Sequence, residues 1–435
     1  MRFAVVGCGY IAPRYLETLG DHPGLELVGV TDRQPERAEA LAGRHQTKVF
    51  AGTEELLADP SVALVVNLTD PENHHAVSRA ALLAGKHVYS EKPLATDLAG
   101  AKDLVALAET RGLRLSSAPC TVLSDTARTL QAAVAGGAVG QVRLVYAELD
   151  DNPVHLMAPE GWTNELGTPW PYLNEYRVGC TLEHAGYYLT WLATLFGPAR
   201  TVTAFSSCLV PEKMVGAAAG ADTPDFSVAC ITFASGVVAR LTCSIVAPYD
   251  HSIRIVGDEG VLTAEECWHH QAPVRLERFT QVGLNARKAR IVRASPVLQR
   301  VVGVGGRRVR PPGRRSTTRG RLWADLRSGQ RSLLRNLVRE VSRRQLIAID
   351  FLAGVADLAA AIDEGRPERL PAPFVLHVNE LALAIQEARS HRGVYELTTT
   401  FDPLPAAEDD RVIDLRDSRR PASLADAVIA GLHRH

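Results

Sequence analysis

The sequence predicts an α/β protein with an N-terminal domain on a parallel sheet and a C-terminal α/β domain with a large, mostly antiparallel open sheet. Residues 1–120 alternate short apolar runs with amphipathic stretches, as parallel βα units do. Residues 201–265 carry successive strand-like runs separated by turn sequences. With 435 residues, 46% hydrophobic and 22% charged, the chain is long enough for two globular cores.

Apolar runs and helical periodicity place the elements of the N-terminal domain, residues 1–120. The predicted strands are residues 2–7, 25–32, 62–70, 87–90 and 113–119. The predicted helices are residues 13–19, 35–45, 74–85 and 99–112. Strands and helices therefore alternate along this domain, which favours a parallel sheet.

The C-terminal domain is predicted over residues 121–405 and is followed by a tail, 406–435. It begins with a helix over 123–140 and a strand over 142–150. Strand-like runs follow at 201–210, 226–247 and 251–265, the last two with turns at 233–238 and 257–260. Two late helices, 351–365 and 375–389, are expected to cover a sheet or the edge of the N-terminal domain.

A basic insertion, residues 287–345, interrupts this domain with 18 Arg and Lys against two acidic residues. Within it, residues 330–344 place Arg every four positions opposite an apolar stripe, which predicts an amphipathic helix. Three roles stay open for the insertion: a protein or oligomer contact, adhesion to an anionic membrane surface, or a solvated excursion without a role.

Composition argues against several classes of protein. The formal net charge of −1 gives no bias toward nucleic acid. Seven cysteines without a CxxC pair disfavour a disulfide framework or a metal site and suit a reducing compartment. Neither a signal peptide nor a membrane-spanning apolar run is recognisable, so we expect a cytoplasmic location.

A glycine-rich turn, Gly7-Cys8-Gly9-Tyr10-Ile11-Ala12, follows the first apolar strand and precedes a helix. Gly7 permits the tight turn, Gly9 lets the backbone approach a pyrophosphate, and Ala12 allows close helix–strand packing. The following helix N-terminus offers amides to phosphates. This context predicts a dinucleotide-binding Rossmann domain.

Asp32 ends the second strand, 20 residues after Ala12, where a carboxylate accepts hydrogen bonds from ribose hydroxyls. It would repel a 2′-phosphate, so NAD is favoured over NADP, although the neighbouring Arg33 could accommodate that phosphate. Asp32 could instead cap the helix over 35–45.

Two further segments end strands of this domain, Asp70-Pro71-Glu72-Asn73-His74-His75 and Glu91-Lys92-Pro93. Because ligands bind at the carboxyl ends of parallel strands, both are expected to face the nicotinamide end of the cofactor. The predicted cofactor contacts are Gly7, Gly9, Tyr10, Ile11, Ala12, Asp32, Arg33, Thr69, Asp70, Pro71, His75, Glu91 and Lys92.

These motifs resemble the glucose–fructose oxidoreductase/inositol dehydrogenase family (Gfo/Idh/MocA). The resemblance covers residues 1–265 and 349–400 and is carried by GCGYIA, DPENHH, AGKHVYSEKPLA and GCTLEHAGYYLTWL. It implies hydride transfer to or from a sugar or cyclitol carbon, and a homo-oligomer built through the C-terminal sheet. It also assigns Lys92 contacts to both substrate and cofactor; its ammonium would stabilise charge on a substrate oxygen.

The chain departs from the family at the motif Asp-x-x-x-His, whose His is the general acid/base. Alignment on Gly186 places His184 at the Asp position and Tyr188 at the His position. Residues four apart share one helical face, so His184 and Tyr188 are the candidate acid–base groups beside Lys92. Alternatively, His184 only positions substrate and Tyr188 packs.

Residues 161–180 combine Trp, Tyr and turn residues with Asn, Glu and Arg, a composition that suits a sugar. Packing at a domain seam explains the aromatic residues equally well. The candidate substrate residues are Lys92, Tyr172, Asn174, Glu175, Arg177 and His184.

The sequence therefore predicts an NAD(H)-dependent oxidoreductase acting on a CH–OH group of a sugar, nucleotide sugar or cyclitol. One alternative is an NAD-assisted lyase or glycosidase that recycles its cofactor internally, which would form product without net NADH. Another is a non-catalytic nucleotide-binding sensor or partner protein, which the altered His184/Tyr188 motif leaves open.

Overall fold

The computed structural model describes residues 1–214, 222–280, 284, 286–295, 297, 299, 306–309, 349–391 and 393–404. The helix expected over 330–344, most of the basic insertion 287–345 and the tail 406–435 lie outside the described residues. Their predicted roles therefore stay predictions.

The chain divides into two compact units, which are described separately. The first comprises residues 1–123, 146–251 and 350–404, and the second residues 124–145, 252–349 and 405–435. The first unit thus contains the N-terminal sheet together with much of the predicted C-terminal domain. The domain boundary expected near residue 120 remains a proposal.

The first unit contains a six-stranded parallel sheet in the order β3-β2-β1-β4-β5-β6. This is the order of a dinucleotide-binding Rossmann sheet, in which the strand order reverses between β1 and β4. Its strands are β1 Arg2–Val6, β2 Glu26–Thr31, β3 Lys48–Val49, β4 Leu64–Asn67, β5 His87–Ser90 and β6 Leu115–Ser117. The predicted α/β class is confirmed.

Five helices connect these strands among the described residues. They are α1 Ala12–Leu16, α2 Pro35–His45, α3 Thr53–Ala58, α4 Pro71–Leu83 and α5 Leu98–Arg111. The first ends three residues before the predicted end at residue 19, and β3 and α3 were not predicted. Both are short, so they lack the run of apolar residues that identifies an element from sequence.

Two late helices also belong to the first unit, α11 Leu352–Glu364 and α12 Ala372–Gln386. Leu352 and Val355 of α11 share a buried apolar cluster with Phe3 and Val5 of β1, so α11 covers the parallel sheet, as one of the predicted alternatives had it. A Cβ on Gly354 would lie 2.3 Å from the hydroxyl of Tyr89, so only glycine permits this approach.

The remaining elements of the first unit are three consecutive helices and part of an antiparallel sheet. The helices are α7 Tyr172–Val178, α8 Cys180–His184 and α9 Gly186–Phe196. The strands are β7 Val142–Asp150 from residue 146 onward, β8 Ala199–Ser207, β9 Phe226–Phe233, β10 Val238–Ser244 and β15 Tyr395–Glu396, in the order β7-β10-β9-β8-β15. The predicted hairpin turn at 233–238 joins β9 to β10.

The described residues of the second unit form two helices and four antiparallel strands. Its elements are α6 Asp125–Ala135, β11 Ile253–Gly257, β12 Gly260–Ala264, β13 Val274–Arg278, α10 Ala286–Arg293 and β14 Arg307–Arg308. The predicted turn at 257–260 joins β11 to β12. Across the described part of the chain, no helix has the length and apolar composition needed to cross a bilayer.

Candidate active site

The glycine-rich turn directly follows β1, and its first position requires glycine. Gly7 has a φ of +97°, and a Cβ there would lie 2.6 Å from the carbonyl carbon and oxygen of Leu68. A Cβ on Gly9 would meet no atom within 4 Å, so the backbone at Gly9 borders open space. The turn therefore fits the close approach of a dinucleotide pyrophosphate to the backbone.

The rest of the turn is fixed by backbone contacts. The carbonyl of Ile11 accepts hydrogen bonds from the amides of Arg14 and Tyr15, which starts α1, and Ala12 is fully buried. The carbonyl of Tyr10 accepts a 3.1 Å hydrogen bond from Nδ2 of Asn164. The segment that contains Asn164 thus contacts the turn.

Asp32 follows β2 and lies against the glycine turn. Its Oδ2 accepts a 2.7 Å hydrogen bond from the amide of Cys8, and its Oδ1 accepts one of 2.8 Å from the amide of Gln34. Each carboxylate oxygen has a further lone pair for a ribose hydroxyl. Arg33 is 83% exposed, and its Nη2 lies 3.5 Å from Oδ2 of Asp70.

The segment after β4 is held in place by Asn67. Its Oδ1 accepts a 2.7 Å hydrogen bond from the Thr69 hydroxyl, and its Nδ2 donates one of 3.0 Å to the carbonyl of His74. Asp70 then precedes α4, which begins at Pro71. Thr69, Asp70 and Pro71 consequently lie where the strand order reverses, the ligand position of such sheets.

The two neighbouring histidines of this segment have different partners. The ring of buried His74 lies with Nδ1 2.7 Å from the carbonyl oxygen of Pro93 and Nε2 2.8 Å from that of Thr69. Nε2 of His75 instead lies 2.8 Å from Oδ2 of Asp103 on α5. His74 therefore connects the two strand-end segments, and the cofactor contact expected for His75 remains a proposal.

Lys92 follows β5 and is fixed by an ion pair that is nearly excluded from water. The Glu91 carboxylate accepts hydrogen bonds from the Tyr15 hydroxyl at 2.8 Å and from the amide of Lys92 at 2.7 Å. The Lys92–Pro93 peptide bond is cis. Nζ of Lys92 lies 2.5 Å from Oε2 of Glu183, and the two side chains are 16% and 3% exposed.

A second carboxyl, that of Glu175, adjoins this ion pair. Burial, together with the charge of Glu183, raises the pKa of Glu175 to about 8, against the opposing effect of Lys92. Burial disfavours the charged form of Lys92, but Glu183 and Glu175 outweigh it and raise the pKa of Lys92 well above its usual value. Near neutral pH, Lys92 keeps its ammonium charge and Glu175 keeps its proton.

We expect Glu175→Gln to stabilise the protein increasingly as the pH rises. A carboxyl with a folded pKa raised to about 8 contributes stability below its unfolded pKa, and this contribution is lost as the pH rises through 8. The variant should match the wild type near pH 4 and unfold about 2 °C higher at pH 9 in differential scanning calorimetry. Exposed Glu39→Gln on α2 is the control, and equal shifts in both variants would contradict the assignment.

His184, at the end of α8, belongs to the same cluster. Its Nδ1 lies 2.8 Å from Oδ2 of Asp151, and Nε2 of His251 lies 2.7 Å from the other carboxylate oxygen. Burial disfavours the charged ring, but the negative charge of Asp151 outweighs this effect and raises the pKa of His184. Lys92 and Glu175 also act on His184 electrostatically, so the three groups share one site.

Tyr188 is fully buried in α9. Its hydroxyl donates a short hydrogen bond to the carbonyl of His251, and its ring packs edge-on against Trp191 with centroids 5.6 Å apart. Ala185, between α8 and α9, keeps a right-handed helical conformation with φ −57° and ψ −27°. The two side chains have different partners, because Nδ1 of His184 faces a carboxylate whereas the Tyr188 hydroxyl is bonded to a backbone carbonyl. This geometry favours His184 as the acid–base group, and the catalytic role of Tyr188 remains a proposal.

The other predicted substrate residues lie on α7. Nδ2 of Asn174 donates hydrogen bonds of 2.8 Å to both carboxylate oxygens of Glu72, and the ring of Tyr172 packs on a neighbouring tyrosine. Arg177 is exposed, and its Nε donates to a backbone carbonyl of its own helix. Among the described interactions of α7, that of Glu175 is the one that reaches Lys92.

Three residues of the cluster were not predicted: Asp151, Glu183 and His251. Glu183 precedes His184 in an otherwise apolar stretch, and a charge in such a stretch signals a buried partner. Asp151 follows Asp150, the last residue of β7, and two adjacent acidic residues at a strand end by themselves indicate a solvated turn. No local signal marks His251.

Comparison with protein families decides the classification. Residues 1–118 match the model of the oxidoreductase family with an NAD-binding Rossmann fold, and residues 127–263 match the GFO/IDH/MocA C-terminal domain. The chain belongs to the GFO/IDH/MocA family. This GFO/IDH/MocA protein is therefore an oxidoreductase, and its N-terminal fold is one that binds a nicotinamide dinucleotide.

Curated relatives of this GFO/IDH/MocA protein include dehydrogenases and a reductase. The trans-1,2-dihydrobenzene-1,2-diol dehydrogenase of Bos taurus is 27% identical over 274 residues, which are 62% of this chain and 75% of the relative. The dTDP-3,4-didehydro-2,6-dideoxy-alpha-D-glucose 3-reductase of Streptomyces antibioticus is 34% identical over 163 residues, 37% of this chain and 48% of the relative.

Solved structures share the fold at low sequence identity. The aldose-aldose oxidoreductase of Caulobacter crescentus superposes with a TM-score of 0.67 at 17% identity. The match covers 91% of this chain and 99% of the Caulobacter chain. The WlbA dehydrogenase of Bordetella pertussis, in complex with NADH and UDP-GlcNAcA, superposes with a TM-score of 0.62 at 18% identity. The match covers 92% of this chain and 98% of the WlbA chain. At these identities the likeness concerns the fold.

Proposed function

We propose that this protein is an NAD(H)-dependent oxidoreductase that transfers a hydride to or from a hydroxyl-bearing carbon of a sugar, nucleotide sugar or cyclitol. One observation carries the proposal: the ammonium of Lys92, held after β5 by its ion pair with Glu183, lies in one cluster with His184, the residue that follows Glu183. That cluster therefore combines a cation that can bind a substrate oxygen with a group that can exchange a proton.

The residues have separate roles in this reaction. The glycine turn and Asp32 would hold the nicotinamide dinucleotide, which would supply a hydride acceptor for oxidation and a hydride donor for reduction. Lys92 donates a hydrogen bond to the reacting oxygen and stabilises negative charge there. His184 takes the hydroxyl proton in oxidation and returns it to the carbonyl oxygen in reduction.

Asp32 supports NAD as the preferred cofactor. Its carboxylate lies beside the glycine turn, where ribose hydroxyls bind and where a 2′-phosphate would be repelled. Arg33 is exposed and also near Asp70, whose charge weakens its attraction for a phosphate. NADP is therefore the weaker ligand in this proposal.

The relatives supply the substrates for a direct assay. Purified full-length protein is incubated with NAD⁺ or NADP⁺ and with myo-inositol, aldoses, UDP-sugars or trans-1,2-dihydrobenzene-1,2-diol, and absorbance at about 340 nm reports reduced nicotinamide. We expect turnover of at least one polyol, with NAD⁺ preferred. Calorimetry of NADH and NADPH measures cofactor affinity independently of the substrate.

The outcomes separate the alternatives. Product formation without net NADH would support the redox-assisted lyase or glycosidase instead. Nucleotide binding without turnover of the panel would support the non-catalytic sensor. Absence of affinity for both dinucleotides would overturn the proposal itself.

A further inference from the structure

We propose that Asp151 is a positioning residue that holds Nδ1 of His184, so that Nε2 is the nitrogen that exchanges the substrate proton. This inference rests on the proposed function of His184. Asp151 directly follows β7 and lies 33 residues before His184 in the chain. In the family motif, by contrast, the aspartate and the histidine lie on one helix.

The backbone around Asp151 is anchored on both sides. The amide of Asp151 donates a 2.9 Å hydrogen bond to the carbonyl of Ser244 at the end of β10. The preceding residue, Asp150, exchanges two backbone hydrogen bonds of 3.0 Å with Asp250. The carboxylate is therefore carried by paired backbone, and its position does not depend on a loose loop.

Both oxygens of this carboxylate face imidazole nitrogens. Oδ2 lies 2.8 Å from Nδ1 of His184, and Oδ1 lies 2.7 Å from Nε2 of His251. Asp151 and His251 are 7% and 0% exposed at their side chains, so the carboxylate is removed from water. Because each of its oxygens lies against an imidazole nitrogen, the Asp151 carboxylate has little freedom to rotate away from His184.

A carboxylate only accepts hydrogen bonds, so the nitrogen that faces it carries hydrogen. Nδ1 of His184 is therefore the protonated nitrogen of the neutral ring, and Nε2 is the one that gains and loses a proton. A similar aspartate holds the catalytic histidine of serine proteases in its productive tautomer. Asp151 also favours the imidazolium, whereas Lys92 opposes it and Glu175 favours it when ionised.

Asp151→Asn tests this role because it keeps the shape of the side chain and removes its charge. We expect kcat to fall by about 10²-fold on the panel substrate with the highest rate, with KM and the Kd of NADH within about twofold of wild type. The limb of the pH profile that His184 sets should move to lower pH. Asp150→Asn, at the adjacent carboxylate, is the matched control and should keep kcat near wild type.

A second measurement does not require activity. The imidazole ¹⁵N resonances of His184, identified by their loss in His184→Asn, report which nitrogen is protonated and at what pH. We expect the neutral His184 ring of the wild type to carry its hydrogen on Nδ1, and we expect the pKa of His184 to be lower in Asp151→Asn. An unchanged tautomer and pKa in Asp151→Asn would overturn the inference, as would an unchanged kcat; if wild type lacks turnover with every substrate, the proposed function fails separately.

Discussion

Lys92→Met is expected to lower kcat by about 10²–10³-fold, the loss typical of removing one preorganised donor to a charged oxygen. Methionine keeps the length of the side chain but cannot donate a hydrogen bond. Steady-state kinetics on the best substrate of the panel measures this loss. Lys102→Met, an exposed lysine of α5 that donates to the Thr398 hydroxyl, is the control and should remain active.

Lys92→Met should also lower the free energy of unfolding, and this loss of stability has to be separated from the loss of catalysis. Without the ammonium, Glu183 is a charge buried without its cation, and breaking such a pair costs about 3–5 kcal/mol. We expect Lys92→Met/Glu183→Gln to recover most of this free energy of unfolding in urea titrations. The double variant should remain inactive; recovered activity would contradict the role of Lys92.

His184→Gln is expected to lower kcat by about 10²–10⁴-fold, because it removes the group that exchanges the substrate proton. Tyr188→Phe is the informative comparison. The Tyr188 hydroxyl is buried against the carbonyl of His251, so its loss should cost about 1–3 kcal/mol of stability and leave kcat within about fivefold of wild type. A large fall in kcat for Tyr188→Phe with a mild one for His184→Gln would reverse the assignment.

The pH dependence of the wild type follows from His184. Because the charge of Asp151 outweighs the effect of burial and raises the pKa of His184 above its ordinary value, the ring keeps its proton to a higher pH than a free imidazole and is the acid while it is protonated. Reduction should therefore be fastest below this pKa, and oxidation should rise as the pH passes above it. His184→Gln should lose this dependence in both directions.

The sequence predicted those parts of the site that depend on local backbone. Gly7 requires a positive φ after a strand, and Lys92 belongs to a motif whose strand end fixes its place in the sheet. The parallel sheet also follows from the alternation of strands and helices along the chain. These features are readable because each is encoded within a few residues.

The partners of the charged groups could not be predicted in the same way. Lys92 and Glu183 are 91 residues apart, and Asp151 and His251 are 100 residues apart, so no local pattern relates them. The spacing of His184 and Tyr188 also could not tell which of the two is the acid–base group. Their partners, the Asp151 carboxylate and the His251 carbonyl, lie 33 and 63 residues away in the chain.

Transfer of a deuterium label tests the central claim most directly. The panel substrate with the highest rate is prepared with deuterium on its hydroxyl-bearing carbons and incubated with NAD⁺, and the reduced dinucleotide is analysed by mass spectrometry. We expect deuterium in the dihydronicotinamide ring with wild type and a correspondingly slow transfer with Lys92→Met. Formation of unlabelled NADH from the labelled substrate, or transfer by Lys92→Met at the wild-type rate, would contradict it.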